Sequence, residues 1–215
     1  MPDILASIID SRIYNGILIF TILCEFLIPW LLKHFYKGYD SKRMLLSILG
    51  CFESPVHSIY NIWLIWIGIF FSFTALVNYK RISEISNIYA IALFLSILAY
   101  AVGAGFLSGM FHMSMSEDVV TTSSKIHNMG AMIGFAAFPF SSLISGIVAF
   151  GQSALIFGSV CVMAFVAAGI FFIMLIIGGS TKFKDTIFAY EGLWERSALL
   201  CMYIPFIYVG IGKLI

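Results

Sequence analysis

The chain has 215 residues, 61% apolar and 11% charged, with a formal net charge of +1 at pH 7. Soluble domains are nearer half apolar and a quarter charged, so an ordinary soluble globule, a disordered chain and a disulfide-stapled miniprotein are excluded. The near-neutral charge gives no electrostatic footprint for nucleic acid. An integral membrane protein remains.

A spanning helix needs about 20 mainly apolar residues. Residues 1–12 form a short polar lead, and 13–32 are apolar apart from Glu25. The stretches 54–79, 85–116 and 126–181 contain no Asp, Glu, Lys or Arg. The third is long enough for two spans, with a tight turn offered by Gly151, Gln152 and Ser153. A last apolar run begins near 193. The predicted architecture is all-α: one domain over 1–215, a polytopic bundle of six transmembrane helices at about 13–34, 56–78, 87–111, 126–149, 154–177 and 193–214. Continuous apolar runs, without ten-residue alternation, disfavour a barrel. The lead sets Asp3 and Asp10 against Arg12, and Ile28-Pro29-Trp30 offers no small-residue cleavage site. The first helix is therefore expected to be retained rather than cleaved as a signal peptide. Cys24, Cys51, Cys161 and Cys201 form no CxxC pair and read as buried small apolar residues. Pro139 and Pro205 are candidate kink positions in helices 4 and 6.

With six helices, both termini share a side with loops 2 and 4. That side holds Arg12, Lys80, Arg81 and Lys213; the loop 1/3/5 side holds Lys33, Lys37, Lys42, Arg43, Lys125, Lys182, Lys184 and Arg196. The positive-inside rule then leans loops 1, 3 and 5 to the cytoplasm of a cell membrane. All four histidines map to this same side, with Asp40, Glu53, Glu117, Asp118, Asp185, Glu191 and Glu195.

The candidate site follows from that clustering. Ser54 and Pro55 suit the cap and first turn of helix 2, and Glu53 and His57 flank that turn. Gly105 and Gly109 before loop 3, and Gly130 and Gly134 after it, predict that helices 3 and 4 pack closely on each other. His112 and His127 then lie above the seam. Glu191 and Glu195 open helix 6, where the helix dipole favours acids. Arg196 is expected to snorkel, or to pair inward with a carboxylate of loop 1 or loop 3. At about 1.5 Å per residue, Glu25 lies roughly 13 Å deep, near the midplane. An ionisable group there is a functional candidate by default, expected to face the bundle toward Asn61.

The loops resemble a known family. The run from Leu49-Gly50 to Ser54-Pro55 with Asn61 carries the resemblance, as do Gly109-Met110-Phe111, His127-Asn128-Met129-Gly130-Ala131 with Phe135, and Gly192-Leu193-Trp194-Glu195-Arg196. Together they look like the six-helix prokaryotic membrane family catalogued as domain of unknown function 998. The likeness spans nearly the whole chain. His112 stands where the family usually has proline. The resemblance implies fold and topology, carries no activity, and marks His127, Glu195 and Arg196 as more than loop filler.

Three functions fit these residues. The first is a membrane-embedded enzyme acting on a lipid or amphiphile, either metal-dependent or acid–base. His57, His112 and His127 would be the ligands of zinc or another divalent metal. Glu53, Asp118, Glu195, Arg196 and Glu25 would serve as catalytic groups. No HExxH or GxSxG motif is present. The second is a non-catalytic binder of membrane lipids or small molecules, or an accessory subunit. The third is a small proton-coupled transporter using Glu25.

Overall fold

The structure, a computed structural model, describes residues 7–114 and 121–215. The chain is an all-helical, multi-pass membrane protein. Its six membrane-length helices are α1 (Arg12–Phe35), α2 (His57–Ser83), α3 (Asn87–Met110), α4 (Thr122–Gly151), α5 (Leu155–Gly178) and α6 (Glu191–Leu214). No strand occurs among the described residues. Asp3, Glu117 and Asp118 lie outside them.

The apolar residues divide between lipid and core. Ile156, Met163, Ile170, Ile173 and Ile176 of α5 are exposed, and α5 packs on α4 and α6 at the edge of the bundle. A lipid-facing surface needs no polar residues, so α5 reads apolar all round. The core instead holds Thr21, Asn15, Glu25, Asn61 and Thr74 among its buried side chains.

Caps follow local chemistry at two helix starts. Ser11 Oγ accepts from the Tyr14 amide at 3.5 Å, and Thr121 Oγ1 accepts from the Ser124 amide at 3.1 Å. The start of α2 differs from expectation. Ser54 Oγ accepts from the Val56 amide at 3.3 Å, and the Ser54 carbonyl accepts from both the His57 amide and its Nδ1. Residues 54–57 thus form a turn of their own, and Pro55 precedes the helix instead of opening it.

The glycines also pair differently than their spacing predicts. A Cβ on Gly105 would lie 2.7 Å from the Gly68 backbone of α2, and one on Gly109 would meet the Asn61 carbonyl at 2.7 Å. Gly105 and Gly109 therefore seat α3 against α2. The α4 glycines meet other residues of α3: Gly130 faces the Gly103 carbonyl, and Gly134 faces the Ala104 amide. Two faces of α3 are used because Ala101–Leu107 winds as a π-helix, which shifts the register of the residues that follow. Ser108 Oγ donates to the Gly103 carbonyl at 3.0 Å within this segment.

Pro139 interrupts α4 after Ala137, and the Ala137 carbonyl accepts instead from Ser96 Oγ at 2.7 Å. An aromatic layer crosses the middle of the bundle. Tyr100 stacks on Phe138 at 4.1 Å, Phe138 stacks on Phe206 at 5.6 Å, and Phe71 touches Tyr100, Phe138, Tyr203 and Phe206. The Tyr100 and Tyr203 hydroxyls share a hydrogen bond of 2.5 Å.

Candidate functional site

The long connection between α1 and α2 folds back into the bundle because α6 holds it there. Gly192 lies against the Met44 and Ser41 carbonyls, leaving no room for a Cβ. The Leu193 amide donates to the Lys42 carbonyl at 2.9 Å. Glu195 Oε2 accepts from the Leu46 amide at 2.5 Å. Arg196 donates to the Met44 carbonyl at 3.3 Å and to the Tyr39 hydroxyl at 2.7 Å. The Gly-Leu-Trp-Glu-Arg stretch is thus a clasp for loop 1. Among the described residues Arg196 pairs with no carboxylate, and it turns inward instead of snorkelling, binding loop 1 carbonyl and phenol oxygens.

The clasp sets the 3-10 turn Leu46–Gly50 over the core. Gly50 touches the side chain of Asn61, whose Nδ2 donates to the Gly50 carbonyl at 3.1 Å. Asn61 is therefore committed to loop 1, and Glu25 has another partner than expected: its Oε2 accepts from Trp63 Nε1 at 2.6 Å.

Beneath this turn lies a cavity of about 40 Å³. Its polar wall is Glu25, Glu195, His127, Tyr60, Tyr100, Ser47 and Ser108. A single water needs roughly 10–15 Å³ of such space, so the cavity is sized for a few waters and not for a lipid. Glu25, His127 and Glu195 are 3%, 2% and 8% exposed. Among the described residues, no Lys, Arg or His nitrogen lies within 4 Å of either carboxyl; the ion pair found there joins Lys213 to Asp10 at the bundle's far end. His127 Nδ1 donates to the Phe111 carbonyl at 2.9 Å, with the Ser108 carbonyl at 3.2 Å. Those bonds place the ring proton on Nδ1 and the lone pair on Nε2.

The other expected residues lie elsewhere. His57 and His112 meet edge to face with centroids 6.0 Å apart, and neither lines the cavity. His57 bonds Ser54 and Ser58. Glu53 is exposed and accepts from Ser114 Oγ at 3.4 Å. Among the described residues, no three His, Cys, Asp or Glu side chains are grouped to hold a metal ion. The geometry therefore gives His127 a different setting from His57 and His112: among the described residues its ring bonds run to the carbonyls of Ser108 and Phe111, at the end of α3. Tyr60, Tyr100, Ser47 and Ser108, absent from the sequence-based set, complete the polar wall. Tyrosines within apolar helices read as core or interface residues, and Ser47 carried no motif.

Two groups of loop 1 titrate far from their ordinary values. Burial pushes the Tyr39 phenol up to about 12, outweighing the opposing pull of Arg196. Burial pushes the Cys51 thiol up to about 12, with the charge of Glu53 adding to it.

The model of the family described as Protein of unknown function (DUF998) matches residues 22–212. The chain belongs to this family. No curated protein and no solved structure matches the chain. The matched DUF998 segment contains every residue of the clasp and of the cavity wall.

Proposed function

We propose that this protein couples proton movement to the passage of a small solute across the membrane, with Glu25 and Glu195 as proton-bearing groups. One observation carries the reading: two buried carboxyl groups share a water-sized cavity and, among the described residues, neither faces a cation within 4 Å. An ionised carboxylate so placed is costly, which favours a group that exchanges protons. His127 lines the same wall. A second cavity opens in the other half of the bundle, bounded by Phe206, and the aromatic layer of Tyr100, Phe138 and Phe206 lies between the two. Two cavities on either side of one aromatic layer are the arrangement that alternating access requires, with rearrangement of the layer as the gating step. The excess of Lys and Arg on the loop 1/3/5 side supports a cytoplasmic position for the Glu25 half, in a cell membrane whose lipids meet the exposed face of α5.

The test is voltage-driven proton entry into phosphatidylcholine vesicles carrying the purified protein, read by a trapped pH dye. Wild type should exceed protein-free vesicles, and Glu25→Gln should abolish the excess. Equal entry for wild type and Glu25→Gln overturns the reading.

A second reading is favoured by the His127 tautomer. A fixed Nδ1–H leaves Nε2 as a general base beside two carboxyl groups, the raw material of metal-free acid–base hydrolysis of an amphiphile. Loop 1 would then open to admit substrate. Release of fatty acid from a mixed-lipid micelle, lost in His127→Ala, distinguishes it from the first.

A further inference from the structure

The second cavity is the larger, about 110 Å³, and every helix of the bundle contributes to its wall. It lies where Asn78 and Arg81 of α2 approach Asn15 of α1 and Gln152 at the end of α4. Its floor is apolar: Leu18, Leu93 and Phe206. At roughly ten times the ~10–15 Å³ that holds one water, it admits a small headgroup and its first carbons.

Two polar features of this cavity are unfilled. Arg81 is half-buried, and among the described residues no carboxylate lies within 4 Å of it; Asp10 pairs with Lys213. Asn15 is fully buried, and its Nδ2 donates to the Ile9 carbonyl at 2.6 Å and the Ser11 carbonyl at 3.0 Å. That fixes the amide orientation and leaves Oδ1 with no hydrogen-bond partner. A buried acceptor without a donor costs about 1–3 kcal/mol. A guanidinium with no carboxylate within 4 Å among the described residues, beside an apolar floor, has the donor set of an anion clamp.

We propose that this cavity binds an anionic amphiphile, a single carboxylate or phosphate group on an apolar body, with Arg81 holding the anion and Leu18, Leu93 and Phe206 the chain. Asn15 Oδ1 accepts from a hydroxyl on ligands that carry one. The binding site stands on its own geometry; its role as the entry point of the transported solute rests on the proton-coupled reading above.

The test is native mass spectrometry of the full chain released from neutral maltoside micelles. The probes are decanoate, decanol, decyltrimethylammonium and phosphatidylglycerol. Decanoate should bind wild type at least about tenfold more tightly than decanol or the cationic probe. Arg81→Gln should remove that preference, and Arg81→Lys should keep part of it. Retention of phosphatidylglycerol through purification, lost in Arg81→Gln, identifies a lipid headgroup as the source; binding of decanoate alone identifies a free acid. Decanoate and decanol binding wild type equally would overturn the proposal, and that comparison holds even if Arg81→Gln does not fold. Glu25→Gln should bind decanoate like wild type. Binding without proton entry leaves this site standing and removes the transport role; proton entry without binding does the reverse.

Discussion

Glu195 accepts the Leu46 amide hydrogen at 2.5 Å across 149 residues of sequence. This one bond joins the start of α6 to the 3-10 turn that roofs the polar cavity. The same carboxyl both holds the roof and faces the space beneath it. Removing the acceptor leaves a buried amide unsatisfied at a cost of about 1–3 kcal/mol. Glu195→Ala should lower the thermal midpoint in detergent clearly, and Glu195→Gln, which keeps an acceptor oxygen, should lower it less. Equal losses for the two would mean that the amide bond does not hold loop 1.

Cys51 reports on the same roof from outside the spans. It is fully buried and its thiol is pushed up to about 12. Only the thiolate alkylates, and a raised value means the thiol form persists at pH 8. Iodoacetamide should therefore modify Cys51 slowly in wild type at that pH, and faster once Glu195→Ala loosens loop 1. Rapid labelling of wild-type Cys51, mapped by peptide mass spectrometry, would contradict a closed roof.

Trp63 is the donor that Glu25 has. Trp63→Phe removes the N–H and keeps an aromatic ring in place. The Glu25 carboxyl stretch in infrared difference spectra should shift in this variant, and proton entry into vesicles should fall. Glu84→Ala, an exposed position beyond the end of α2, should leave both unchanged.

The glycines divide by what surrounds them. A Cβ at Gly68 would meet the Phe106 amide at 2.7 Å and the Ala101 carbonyl at 2.8 Å, whereas one at Gly169 would meet nothing within 4 Å. Gly68→Ala should force α2 from α3 and destabilise the fold. Gly169→Ala should be neutral or stabilising by up to about 1 kcal/mol, since alanine is the better helix former. Melting temperatures of the two variants check this directly.

The fold was legible because hydrocarbon imposes a simple rule: long charge-free runs with a few breaks. Glu25 was legible for the same reason, as one charge inside such a run. Its partner was not. Asn61 and Trp63 are two residues apart on α2, and the choice between them depends on Asn61 being engaged by Gly50. Glu195 was visible as an acid at a helix start, where the dipole alone would account for it. Its burial follows from loop 1 folding back, which hydropathy does not encode. Counting charges by side grouped His127 with His57 and His112. All three lie at the same end of the bundle, but His57 and His112 meet each other while His127 lies buried against the carbonyls of Ser108 and Phe111. The glycine spacing signalled close packing without naming the partner, because the π-helix turns α3 between Gly103 and Gly109.

That π-helix has a consequence for how this chain can change length. Each residue advances a helix by about 100°, so adding or removing one within a packed span misaligns everything beyond it. Ala101–Leu107 has already absorbed such an offset. Deleting one residue there would restore ordinary winding and leave Ser108 and Phe111 facing as they do. Their carbonyls are what orient the His127 ring. The wide turn is in effect a splice within the span: a residue can be gained or lost there while the carbonyls that orient a histidine on the neighbouring helix stay in place.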